Sequence, residues 1–135
     1  LAAGAAGVHL GQSDMGVRQA RSLAGRRLLI GVSTHTPTQI REACRREIDY
    51  LAVGPVFPTL TKPHRGAVGL GLLGRLPADA PPVFAIGGIT RDNVAKVLAQ
   101  GDFGIAVTGA IFRTRDPRAA ARDLRRRLTR LPARG

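Results

Sequence analysis

Five short apolar runs, each followed by a stretch able to turn as a helix, constrain the folding of this chain more than any other feature. The runs are Gly7-Val8-His9-Leu10, Leu28-Leu29-Ile30-Gly31-Val32, Tyr50-Leu51-Ala52-Val53, Val83-Phe84-Ala85-Ile86 and Gly104-Ile105-Ala106-Val107. They are apolar rather than alternating, as parallel strands covered on both faces are. Helical patterns lie between them. Val17 to Leu23 is weakly periodic, and Leu70 to Leu76 is a turn or two. Pro37 to Arg46 opens with Thr36 as N-cap, Pro37 at the first helical position and Gln39 completing a capping box. Thr90 can cap a helix from Asp92 to Gln100 that Gly101 ends. Asp116 can cap a last helix from Pro117 to about Leu131, with Leu124, Leu128 and Leu131 on one face. Strands alternating with helices predict βαβ units and a parallel sheet, either doubly wound and open or part of a barrel.

Composition narrows the functional classes. A chain of 135 residues with 44% hydrophobic residues makes one domain with a packed core, and no linker divides it. No run approaches the roughly 18 apolar residues of a membrane helix. Leu1 to Gly11 is apolar, lacks a basic region before it and does not read as a signal peptide, although the chain begins with Leu rather than Met. The lone Cys44 excludes an internal disulfide or a cysteine metal cluster, fits a reducing cytoplasm and sits in a helical pattern, where packing is its expected role. The net charge of +12 attracts polyanions, and nine arginines fall between Arg113 and Arg134 against only Asp116 and Asp123. These arginines surround the apolar Leu124-Leu128-Leu131 stripe without interleaved aromatics, as on a solvated outer helix, so a nucleic-acid partner is not favoured.

The chemistry gathers just after each run. Gly11-Gln12-Ser13-Asp14 follows the first, Ser33-Thr34-His35-Thr36 the second, and Gly54 to Lys62 the third; Gly87-Gly88-Ile89-Thr90 follows the fourth and Thr108-Gly109-Ala110 the fifth. At one rim they would supply backbone N–H groups, hydroxyls, a carboxylate and an ammonium, an inventory for a phosphorylated ligand and a divalent cation. Gly87-Gly88 and Thr108-Gly109 stand where barrel enzymes hold phosphate, after the last two strands. Thr59-Leu60-Thr61-Lys62 joins two hydroxyls to an ammonium. Asp14 reads as a magnesium ligand, or as a helix N-cap or a solvated carboxylate. His9, His35 and His64 have no metal spacing, and His9 lies within a strand.

Together these segments resemble the thiamine-phosphate synthase family, also called thiamine-phosphate pyrophosphorylase, with its TenI-type relatives. Gly7 to Asp14 resembles the family's fourth strand and Gly31 to Thr36 its fifth. Asp49 to Lys62 is similar to its most specific segment. Ala85 to Thr90 with Asn93-Val94 resembles the seventh strand and its helix, and Gly104 to Val107 the eighth. The resemblance implies a (β/α)8 barrel of which residues 1–135 supply the units of strands four to eight, without the first three. It implies a cytoplasmic transferase that joins hydroxymethylpyrimidine diphosphate to thiazole phosphate and releases pyrophosphate, with Mg²⁺ as cofactor. By the resemblance, Asp14 is a magnesium ligand, and Ser33 and Lys62 act on the pyrimidine diphosphate. Thr59, Thr61, Gly88 and the Thr108-Gly109 loop bind the thiazole phosphate.

Two departures matter. Pro55 stands where some TenI-type tautomerases carry His, which argues for the synthase over a TenI-type or non-catalytic phosphate-binding protein. The family's Gln-Arg-Lys cluster and Asn-Asp pair, carried by its first three strands, have no counterpart here. Expressed alone, such a chain is expected to be poorly stable, to show little synthase activity, and to call for a second copy or a partner that completes the barrel.

Overall fold

A computed structural model describes residues 4–60 and 66–129. The five apolar runs become strands β1 (Gly7–Leu10), β2 (Leu29–Thr34), β3 (Tyr50–Val53), β4 (Val83–Ile86) and β5 (Gly104–Ala106). All neighbours are parallel and the sheet order is β1-β2-β3-β4-β5. That order decides between the two layouts left open above. A doubly wound sheet reverses direction at a switch point, whereas a barrel adds each strand beside the last. The described residues therefore form an open section of a (β/α) barrel, as expected.

Helices cover one face. They are α1 (Val17–Ala24), α2 (Pro37–Cys44), α3 (Val94–Leu98), α4 (Gly109–Phe112) and α5 (Pro117–Thr129), with 3-10 turns at Gly25–Arg27 and Leu70–Arg75. The core lies between them and the sheet: Ile30, Leu51, Val53 and Ala85 from the strands meet Ile40, Leu73, Val94 and Val97 from the helical layer, all nearly or fully buried. Burial mainly on one face, with Gly31 and Ala52 the buried inner-face residues of β2 and β3, departs from the expectation of strands covered on both sides. On the concave face Leu29, Phe84 and Ile86 keep 54%, 38% and 38% of their surface. The inner-face row is nonetheless ordered. The Tyr50 ring lies over Gly31, where any Cβ would fall inside it. Tyr50 also meets Phe84 edge to face, with centroids 5.6 Å apart.

The helix ends show how the sequence fixes the frame. Thr36 caps α2 by accepting from Gln39 N at 3.2 Å. Gln39 Oε1 reaches one residue further back than a capping box requires, to His35 N at 2.8 Å. Asp116 Oδ1 accepts Ala119 N at 2.8 Å and caps α5. Leu124 is buried and Leu128 packs on the core, while Leu131 lies outside the described residues. α3 is shorter than expected because Thr90 and Asn93 close a separate turn ahead of it, with Thr90 N donating to Asn93 Oδ1 at 2.8 Å. Cys44 is half-buried against the core, and burial first, then Asp79, pushes its thiol up, as suits a packing residue.

At the N-terminal ends of the strands a second polar network ties the layers. Arg21 donates to Asp49 Oδ2 at 2.7 Å and to the carbonyls of Gly25, Leu28 and Glu47. Asp49 Oδ2 also accepts Ile30 N at 2.7 Å. The Ile30 N–H first, then Arg21, holds this carboxyl below the usual carboxylate range.

Candidate functional site

The loops that leave the C-terminal ends of β2 to β5 converge on a cavity of about 370 Å³. Parallel strands bring this about by themselves, since every βα loop leaves from the same edge. Ser33 and His35 line the cavity from β2, Gly54 to Leu60 partly from β3, Ile86 to Thr90 from β4, and Ala106 to Ala110 with Arg113 from β5 and α4.

The wall between β3 and β4 is made of main chain. Val56 N donates to Ile86 O at 2.9 Å and Phe57 N to Gly87 O at 3.1 Å, so the two strands stay zipped past their ends. The Gly54–Pro55 peptide is cis. Gly88 has φ +64, and a Cβ there would lie 2.7 Å from the Phe57 Cβ and closer still to Pro58 O. Only glycine meets both conditions. Asn93 holds this loop from behind, donating from Nδ2 to Gly88 O at 2.9 Å while its Oδ1 accepts Thr90 N. Gly88 and Gly109 carry no side chain, so what they present to the cavity is backbone, suited to an anion's oxygens.

Side chains furnish the rest. Ser33, Thr59 and Thr108 bring hydroxyls, and Arg113 a guanidinium. His35 Nδ1 hydrogen-bonds Gly54 O; a carbonyl only accepts, so that nitrogen carries the proton. Ser33 is embedded further. Its hydroxyl lies 2.8 Å from His9 Nε2, and its carbonyl accepts Gln12 Nε2 at 2.6 Å.

Of the residues singled out in the sequence, Ser33, Thr59, Gly88, Thr108 and Gly109 thus line one cavity. Thr61 and Lys62 lie outside the described residues. Asp14 follows β1 on the same edge of the sheet but is not part of the cavity wall. Its Oδ2 accepts Gly11 N at 2.6 Å. Among the described residues no three His, Cys, Asp or Glu side chains gather to hold a metal by themselves. A Mg²⁺ ion shared with ligand phosphates needs only one or two carboxylates, and Asp14 is a carboxylate on the same edge of the sheet as the cavity. Arg113 and Asn93 were not singled out for this site by sequence reasoning. Arg113 was one of nine clustered arginines, and only its place four residues after Gly109, one helical turn on, distinguishes it.

The family model for thiamine monophosphate synthase matches residues 1–111. A thiamine-phosphate synthase of Mycolicibacterium smegmatis is 47% identical over 127 residues, 93% of this chain and 56% of that protein. One of Thermobifida fusca is 49% identical over 124 residues, 90% of this chain and 57% of that protein. The solved thiamine phosphate pyrophosphorylase of Pyrococcus furiosus superposes with a TM-score of 0.84 at 37% identity, covering 93% of this chain and 60% of that one. A 3-hexulose-6-phosphate synthase, at 23% identity and a TM-score of 0.69, shares the fold alone. The chain spans between 56% and 60% of the length of the three synthase relatives named. With five parallel strands in barrel order, their loops on one cavity and a family match across most of its length, the chain belongs to the thiamine monophosphate synthase family.

Proposed function

We propose that this chain carries the thiazole-phosphate and diphosphate subsites of a cytoplasmic thiamine-phosphate synthase, which joins hydroxymethylpyrimidine diphosphate to thiazole phosphate and releases pyrophosphate. The observation that carries the proposal is the meeting of Gly88 and Gly109 backbone, three hydroxyls and Arg113 around one cavity. A phosphate needs several donors and little else, and this wall offers donors from the ends of four successive strands, β2 to β5.

In this reading Thr59, Thr61, Gly88, Thr108 and Gly109 hold the thiazole phosphate. Ser33 and Lys62 contact the pyrimidine diphosphate, and Arg113 adds charge where the phosphates meet. Asp14 would hold Mg²⁺, whose charge when bound neutralises the departing pyrophosphate. The chemistry asks no nucleophile of the protein: the thiazole nitrogen attacks the pyrimidine methylene, and the carbon–oxygen bond to pyrophosphate breaks. The protein's own residues align the two substrates and stabilise the charge that develops on the leaving group.

Titration of the chain with thiazole phosphate and with inorganic pyrophosphate tests this directly. Both should bind, and Arg113→Ala should weaken binding about tenfold, as loss of one charge-assisted donor does. Absence of binding by either anion, or affinity indifferent to Arg113, would sink the proposal. Supplying both substrates with Mg²⁺ to the chain completed by the family's first three βα units separates the synthase from its TenI-type alternative, for which thiazole phosphate binds and no thiamine phosphate forms.

A further inference from the structure

The concave face of β1 to β3 carries a hydrogen-bonded chain that enters the cavity through one hydroxyl. The Tyr50 hydroxyl lies 3.0 Å from His9 Nδ1, and His9 Nε2 lies 2.8 Å from Ser33 Oγ. Strand register makes this possible: His9 pairs with Gly31, Gly31 pairs with Tyr50, and Ser33 is two residues beyond Gly31 on the same face. Gly31 leaves room for the Tyr50 ring to lie across β2 and reach β1. A bulkier residue at position 31 would cut the connection. The Tyr50 ring is held from its other side by Phe84 and lies 5.5 Å from the His9 ring, centroid to centroid.

We propose that Tyr50 and His9 are positioning residues that turn Ser33 into an obligate hydrogen-bond donor toward the diphosphate ligand. The inference rests on the reading of Ser33 as a ligand contact. A neutral imidazole donates from one nitrogen and accepts at the other. If Nδ1 carried the proton, Nε2 would accept the Ser33 O–H, and the hydroxyl would offer the cavity only lone pairs. A phosphate oxygen facing it would be repelled. If Nε2 carries the proton, it donates to Ser33 Oγ, and the Ser33 hydrogen points to the ligand. The phenol decides between the two. As the stronger acid of the pair it donates to Nδ1 and leaves the imidazole proton on Nε2. Donation then runs one way, Tyr50 to His9 to Ser33 to ligand oxygen, and each link polarises the next. No proton leaves any of the three residues, so the chain orients and does not act as acid or base.

The variant Tyr50→Phe keeps the ring over Gly31 and removes only the hydroxyl, so it disturbs the relay without disturbing the packing. ¹⁵N spectra of the imidazoles, with the His9 signals assigned from His9→Gln, read the tautomer. Wild-type chain should show His9 protonated at Nε2, and Tyr50→Phe should shift it toward a mixture. A His9 protonated at Nδ1 in the wild type would overturn the proposal. Inorganic pyrophosphate, without magnesium, is the binding probe. Ser33→Ala and His9→Ala should each weaken it about tenfold and Tyr50→Phe about threefold to tenfold. His9→Gln, whose amide can still donate toward Ser33, should stay within about threefold of wild type. The Ser33→Ala/Tyr50→Phe double variant should bind no more weakly than Ser33→Ala alone, because the tyrosine acts only through the serine. Equal affinity for wild type and Tyr50→Phe, or additive losses in the double variant, would overturn the relay. If the wild type binds no pyrophosphate, the proposed function fails instead, and the tautomer spectra still decide the orientation of Ser33.

Discussion

The two ends of the same five strands carry different kinds of polar structure. At the N-terminal ends, Arg21 and Asp49 spend their hydrogen bonds on each other and on the backbone of neighbouring segments. At the C-terminal ends, a main-chain wall around Gly87 and Gly88 stands beside hydroxyls and a guanidinium that face a cavity. The first arrangement joins layers to one another; the second leaves donors directed at a space. In a barrel, stability concentrates at one end and chemistry at the other for this reason. Substitutions at the two ends should therefore separate stability from binding.

The largest expected effect comes where the distinction is weakest. Gly88 is both frame and binding surface. Gly88→Ala forces a Cβ into Phe57 and Pro58 at φ +64. It should cost about 3–5 kcal/mol in urea unfolding, from a strained dihedral and an overpacked contact together, and abolish anion binding. An alanine variant of wild-type stability would show that the loop is not built on its glycine.

Next is Arg21→Ala at the opposite end. It removes a half-buried guanidinium and leaves Asp49 and three carbonyls short of a donor. A loss of about 2–3 kcal/mol is expected, with pyrophosphate affinity per folded molecule unchanged. If affinity falls along with stability, the two ends are coupled and the comparison breaks. Arg113→Ala is the mirror case: its affinity should drop while the unfolding midpoint moves by less than about 0.5 kcal/mol, as for an exposed side chain.

How much of this was legible in the sequence follows the range of each interaction. Strands β1, β3 and β4 could be placed to the residue, because continuous apolar runs bounded by Gly and polar loops are local signals. The rim loops after β2 to β5 were legible for the same reason: chemistry follows each run, and parallel topology does the gathering; the Gly11-to-Asp14 loop, expected with them, is not part of the cavity wall. Thr36 and Asp116 were recognisable as caps, since a cap acts within three residues. What stayed hidden depends on partners far apart in the chain. Arg21 and Asp49 are 28 residues apart, and His9 and Tyr50 are 41 apart. No spacing rule links them; only the register of adjacent strands does. His9 read as packed or hydrogen-bonded rather than catalytic, and it is hydrogen-bonded, but its partners depend on a glycine at position 31 that sequence reading took for part of an apolar run. Asn93 was legible as a family letter, yet its two bonds to the Gly88–Thr90 turn also shorten α3, which local helix signals could not foresee.

The smallest effect sharpens the comparison through pH. Asp49 is held below the usual carboxylate range by the Ile30 N–H and by Arg21. Its unfolded counterpart titrates near about 3.9, so on acidification the unfolded chain takes up this proton before the folded one does. The contribution of Asp49 is therefore complete above about pH 5 and is lost as the pH falls through the unfolded and then the folded value. The carboxyl is more than a third exposed, which keeps the effect small. Asp49→Asn should flatten the acid side of the stability profile and leave the neutral plateau slightly lower, since an amide oxygen still accepts from Ile30 N–H. Because Asp49 shares no hydrogen bond with the described rim residues, pyrophosphate binding by Asp49→Asn should follow the wild-type pH dependence between pH 5 and pH 8 to within about 0.3 pH units, well inside the spread that environment gives such groups. A variant that flattened the binding profile as well would mean that the joint at one end of the strands sets the geometry of the cavity at the other.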